Sequence, residues 1–208
     1  QQGSGDEHEK GPVRYVASAT YCSRCYVLGM GKRDDLAQAA TDHALEHGLI
    51  GLSLRPLAAA IGTSDRMLIY HFESKERLVD AVLDISNERS IAVIRSTPAA
   101  GSVGEAVMAL WDVFSSGQLQ RCQRMYVEAA ALGLFGREPY ATSVRRSNDV
   151  WLAAIASHLR ASGASEAAAP RLAALVDATF NGLMLDGPLD DAAVSRAVVQ
   201  DLASAVAG

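Results

Sequence analysis

The stretch SLRPLAAAIGTSDRMLIYHFESKERLV, residues 53–79, opens three helices in quick succession, and this constrains the fold more than any other feature. Ser53 is a natural N-cap, and Pro56 falls in the first turn, where its missing N–H would have no intrahelical partner anyway. Gly62 closes that helix, and Thr63 or Ser64 opens the next at once. Ser74 opens a third, expected to run to about Arg95 with Leu78, Val82, Ile85 and Ile91 facing inward. A helix of about seven residues, a turn of about three and a second helix of about seven is helix-turn-helix spacing. Helices this short cannot hold themselves together in water. Neighbours must support one flank, which leaves the other free for contacts.

The flanking sequence is helical too. Residues 33–48, RDDLAQAATDHALEHG, carry acids in the first turn, Leu36, Ala40 and Ala44 at every fourth position, and Gly48 as the stop. After Thr97-Pro98, long helices are expected near 102–116, 118–134, 139–162, 166–185 and 190–206. Breaks fall at Gly101, Gly117, Gly136 to Pro139, Gly163 and the run DGPLDD. Alternating runs of β-branched residues are missing, and frequent alanine favours helix. The expected fold is all-α: an N-terminal three-helix helix-turn-helix DNA-binding module over 32–80, followed by a larger helical domain over 81–208, to which the family resemblance described below adds ligand binding and dimerisation.

Residues 1–31 read as a flexible N-terminal extension. Met30 directly precedes the first well-formed helix, so the native start is expected there; the alternative is a basic arm of Arg14, Arg24, Lys32 and Arg33 for a minor groove. The net charge of −5 excludes a broad cationic nucleic-acid coat but not a reader with its cations on one edge. No apolar run has membrane-spanning length and no secretory signal opens the chain, so a cytoplasmic protein without a membrane partner is expected. Of the three cysteines, Cys22 and Cys25 form a lone C-x-x-C without a second pair, read as free thiols rather than a zinc site. No Gly-rich phosphate loop or metal quartet appears, and no cofactor is expected.

A helix entering the major groove presents base-reading side chains near its N-terminus, while flanking groups grip phosphates. Arg66 suits guanine O6 and N7, Asp65 suits cytosine N4, and Met67 suits a thymine methyl. Tyr70 and His71 end the helix within reach of the sugar-phosphate chain. Lys75 adds a cation to the start of the next helix, and Arg55 reaches from the preceding one. Leu68 and Phe72, four apart, belong to the core.

Here the sequence resembles the tetracycline-repressor (TetR) family of bacterial transcription regulators, without gaps from about Arg33 to Val82. The resemblance is carried by Ala39-Ala40, His47-Gly48, LSLRPLAAAIGTS (52–64) and LIYHFESKERLV (68–79). It implies an all-helical homodimer that binds a palindromic operator and, most often, a repressor released by a small molecule. By position it implies DNA contacts at Arg55, Thr63, Asp65, Arg66, Met67, Tyr70, His71 and Lys75, and Ser64 is counted with them as a DNA-binding candidate. Ile69 stands where the family usually has a phosphate-contacting tyrosine, with Tyr70 adjacent. Ala44 replaces a frequent core phenylalanine, His43 an aliphatic residue, and Asp65 a neutral or basic one.

The C-terminal half must control that edge. Residues 169–208 supply two apolar helices that, with the resemblance, suggest a two-fold interface near 166–185 and 190–206, with Ala173, Ala174, Ala178 and Gly182 allowing close approach. Met108, Trp111, Phe114, Met125, Tyr126, Phe135, Trp151 and Phe180, together with Met184, are candidates to line a pocket for a lipophilic or aromatic effector, oriented by Glu128, His158 or Asn181. The partners expected are therefore operator DNA, a small-molecule effector and a second copy of the chain. An activating or ligand-independent regulator would share the same DNA edge. An enzyme built on Cys122, His158 and Asp177 is the distant alternative, since Cys122 has no nucleophile signature around it.

Overall fold

The computed structural model describes residues 31–115, 117–186 and 192–206. Arg14, Arg24, Cys22, Cys25 and the expected start at Met30 lie outside them, as do residues 190 and 191 of the last expected helix. Among the described residues every regular element is a helix. In order these are α1 (Lys32–His47), α2 (Leu54–Ala60), α3 (Asp65–Phe72), α4 (Lys75–Ser96), α5 (Val103–Phe114), α6 (Gly117–Leu134), α7 (Tyr140–Ala161), α8 (Ala169–Asp186) and α9 (Ala192–Val206).

Caps fix the ends of the short elements. Ser64 Oγ accepts from the Met67 N–H at 3.2 Å, so Ser64, not Thr63, caps α3. Ser74 Oγ does the same for the Arg77 N–H at 3.2 Å, whereas Ser53 occupies the cap position of α2 without a side-chain bond. Each side-chain cap satisfies an amide that helix geometry leaves without a partner.

Two clusters make up the interior. The first joins Leu36, Ala40, Ala44, Leu57, Leu68, Phe72, Leu78 and Val82, and is completed by Cys122, Met125 and Ala129 of α6. Burial of Leu68 and Phe72 against it, about 1.5–3 kcal/mol for each large apolar side chain, anchors the eight residues of α3. The second cluster lies among α4, α5, α7, α8 and α9, around Ile94, Trp111, Phe114, Ile155, Val176 and Phe180. Rings of Trp111 and Phe180 stand 5.1 Å apart edge-on, and Phe114 and Phe180 are 5.2 Å apart.

Ile85 is half-buried and packs against the first cluster beside the buried Val82, Leu83 and Ser86. Two expectations need correction here. Ala173 is wholly buried in its own chain's core and leaves the exposed stripe of α8 to Ala174, Ala178 and Gly182. Phe135 lies just past the end of α6 and is 84% exposed, so it lines no pocket.

Candidate nucleic-acid interface

The helix-turn-helix folds so that α3 keeps one flank in the core and turns the other outward. Leu68 and Phe72 face in. Arg66 and Tyr70, also four apart, share the opposite flank, where Tyr70 is 76% exposed. Met67 and Ile69, each about two-fifths exposed, flank them. Ser64 is exposed and Thr63 half-exposed at the start of the same helix.

Three helix starts converge beside this flank. Ser53, Arg55 and Pro56 of α2, Asp65 of α3 and Lys75 of α4 line one shallow, open depression. Arg55 Nε lies 3.8 Å from Asp65 Oδ2, with the arginine side chain 90% exposed. An ion pair so open to water contributes little to stability and is easily exchanged for another partner. Asp65 also accepts the Arg66 N–H at 2.9 Å, so the unusual acid completes the helix start while sharing a cation with α2. Together the helix dipoles, Arg55 and Lys75 make this depression favourable to phosphate.

His71 is half-buried, its ring meets Tyr70 edge-on at 5.1 Å, and its Nε2 is covered without a hydrogen-bond partner. At the back of the module Arg33 lies over the Phe72 ring at 5.0 Å, a cation–π contact that sequence spacing does not signal.

The ligand candidates are dispersed. Tyr126 and Trp151 border a narrow, partly open space of about 30 Å³ between α4, α6 and α7, whose other walls include Ser86, Ser90, Gln123, Ser143 and Ser147. Trp111 and Phe114, with Met184, border a separate cleft that also takes Gln120 and Arg124 from α6. Met125 and Phe180 are core, and Met108 is half-buried against the second cluster.

The proposed orienting groups do other work. Glu128 Oε2 accepts the backbone N–H groups of Leu49 and Ile50, at 2.6 and 2.8 Å. Burial pushes the Asp177 carboxyl above its ordinary range, against hydrogen bonds from Trp151 Nε1 at 2.7 Å and Asn181 Nδ2 at 2.9 Å. His158 sits in a groove with Arg95 and Thr97, where burial lowers its pKa against a hydrogen bond to the Thr97 backbone. Cys122 lines the space bordered by Trp151, whose indole bonds Asp177, while His158 lies in the groove with Arg95 and Thr97.

With this geometry in place, likeness to known proteins becomes informative. The profile described as "Bacterial regulatory proteins, tetR family" matches residues 36–82, which cover the helix-turn-helix and the start of α4. Over these residues the chain is similar to the TetR family. An HTH-type transcriptional repressor of Mycobacterium tuberculosis (strain H37Rv) is 32% identical over 94 residues, 41% of this chain and 50% of that protein. The chain thus spans about half the length of the curated relatives it matches.

The likeness in fold extends across the C-terminal helices. A transcriptional regulator from Rhodococcus sp. RHA1 superposes with a TM-score of 0.68 at 22% identity, over 84% of this chain and 95% of that one. The multidrug binding protein EbrR, solved with proflavin, gives 0.62 at 23%, over 83% and 99%. No helix among the described residues is long and apolar enough to cross a membrane.

Proposed function

We propose that the chain is a cytoplasmic transcriptional regulator, a repressor that binds a palindromic operator as a homodimer and is released by a small molecule. The observation that carries this reading is the outward flank of α3, where Arg66 and Tyr70 stand beside the depression lined by Arg55, Asp65 and Lys75. Arg66, Asp65 and Met67 read base edges, while Arg55, Thr63, Tyr70, His71 and Lys75 serve the backbone. Ser64 sets the helix start. The name of the mycobacterial repressor supports the direction of regulation.

Dimerisation uses α8 and α9. Leu175, Leu185, Val194 and Val198 are large apolar residues left exposed there, and Ala174, Ala178 and Gly182 recur every fourth position on α8. Two copies joined across a two-fold axis place their α3 helices about 34 Å apart, one turn of duplex.

The effector enters beside α6, with Tyr126 and Trp151 flanking an aromatic or lipophilic body and Gln123 with the serines bonding its polar substituents. Ligand sites usually occupy about 300–1,000 Å³. A space of about 30 Å³ therefore has to open, and binding shifts the protein toward a second conformation. The test is selection of duplexes from a random-sequence library by the purified chain, followed by footprinting. A palindromic site with half-sites about one turn apart supports the reading; recovery of no saturable duplex rejects it.

A further inference from the structure

Helix α6 is the wall common to both openings. It gives Cys122, Gln123, Tyr126 and Ala129 to the narrow space, and Gln120 and Arg124 to the separate cleft. Glu128 belongs to the same helix, beside Ala129, but its side chain leaves both spaces. Its Oε2 accepts two successive amides, Leu49 N–H and Ile50 N–H, in the turn between α1 and α2. Such charge-assisted bonds are among the stronger polar links available to a partly buried site.

The turn is shaped to receive this carboxylate. Gly48 ends α1 at φ +85°, a left-handed value that suits glycine, and a Cβ added there would stand 2.8 Å from Glu128 Oε1. The Leu52 N–H then closes back on the Leu49 carbonyl at 3.0 Å, and α2 departs from Ser53. Helix α2 carries Arg55 to the depression it shares with α3 and α4.

Other polar links between the two halves run through α4: Arg146 of α7 reaches Asp80 at 3.0 Å and Asp84 at 2.5 Å. Glu128 instead reaches the turn between α1 and α2 directly from the helix that walls the ligand spaces. We infer that Glu128 is the positioning residue through which movement of α6 is passed to α2 and α3. The inference rests on the DNA reading proposed above and names its regulation. An effector that displaces α6 pulls or releases the turn at 48–52 and so changes how α2 and α3 meet the groove. Linkage makes the coupling reciprocal: a duplex held by α3 must alter α6.

The experiment uses the full chain, its Glu128→Gln and Glu128→Ala variants, and the duplex recovered by the wild-type chain from the random library. Amide hydrogen exchange is followed with and without duplex. In the alanine variant, Leu49 and Ile50 are expected to exchange about tenfold faster or more, while amides of α5 and α8 keep their wild-type protection. Duplex should change protection along α6 from 123 to 129 in the wild type, and this response should vanish in the alanine variant. Glutamine keeps an acceptor oxygen at the same position and should restore much of it. A purely structural role would speed exchange at the turn yet leave the α6 response in place, which overturns the inference, as does wild-type exchange at Leu49 and Ile50 in the alanine variant. If the wild-type chain recovers no duplex, the DNA reading falls and the inference with it. If it recovers one and the alanine variant responds like wild type, only the inference falls.

Discussion

Glu73, between α3 and α4, is the one non-glycine residue with positive φ among the described residues, at 68°. An L-residue there carries a steric penalty that glycine escapes, partly offset by the larger entropy glycine loses on folding. Glu73→Gly is expected to stabilise the chain by about 0.5–1 kcal/mol in urea denaturation. Asp177 offers a second test. Its carboxyl is raised above the unfolded value, so the folded state holds its proton more tightly than the unfolded state does. Its contribution is therefore greatest below about pH 4, the unfolded pKa, and is lost as pH rises through the raised folded value. Asp177→Asn keeps an oxygen for Trp151 and should flatten the stability profile above about pH 4, gaining on the wild type as pH rises. A profile that keeps its slope would show that burial of Asp177 is not its source.

Among the elements, α3, like the shorter α2, depends on what surrounds it, having eight residues, one side-chain cap and two buried anchors. Ser64→Ala should cost about 1 kcal/mol, and Leu68→Ala about 2–5 kcal/mol because it hollows the junction with α1, α2 and α4. Thermal denaturation ranks the two. The helices themselves were legible in the sequence because their signals are local: Gly48 and Gly62 as stops, Ser64 and Ser74 as caps, Leu68 and Phe72 four apart. Expectations about what a helix faces fared less well. Phe135 has the chemistry of a pocket residue but lies just past the end of α6, in solvent. Glu128 looked like a pocket acid, yet its partners are 78 and 79 residues away in sequence, a distance no periodicity spans. Arg66 and Tyr70 were legible as an outward pair because an i, i+4 spacing opposite a buried pair leaves them no other direction.

At the scale of the whole molecule, the account joins a DNA edge, a two-fold interface and an effector space through α6. Substituting Gly182→Arg on the exposed stripe of α8 should place a bulky charge where two copies meet. Analytical ultracentrifugation is expected to show a dimer for the wild type and a monomer for the variant. The variant's affinity for the recovered duplex should fall at least tenfold, since each half-site is then held alone. A dimer that persists with full affinity would move the interface away from α8.

The most direct measurement is a fluorescence-anisotropy titration of that duplex with wild-type and Arg66→Ala chains at salt concentrations from about 50 to 200 mM. The account predicts saturable wild-type binding that weakens steeply with salt. It also predicts a loss of about 1–3 kcal/mol for Arg66→Ala, with relaxed preference at the base pair that arginine reads. Equal binding by the two chains, or no saturable binding by the wild type, would contradict it.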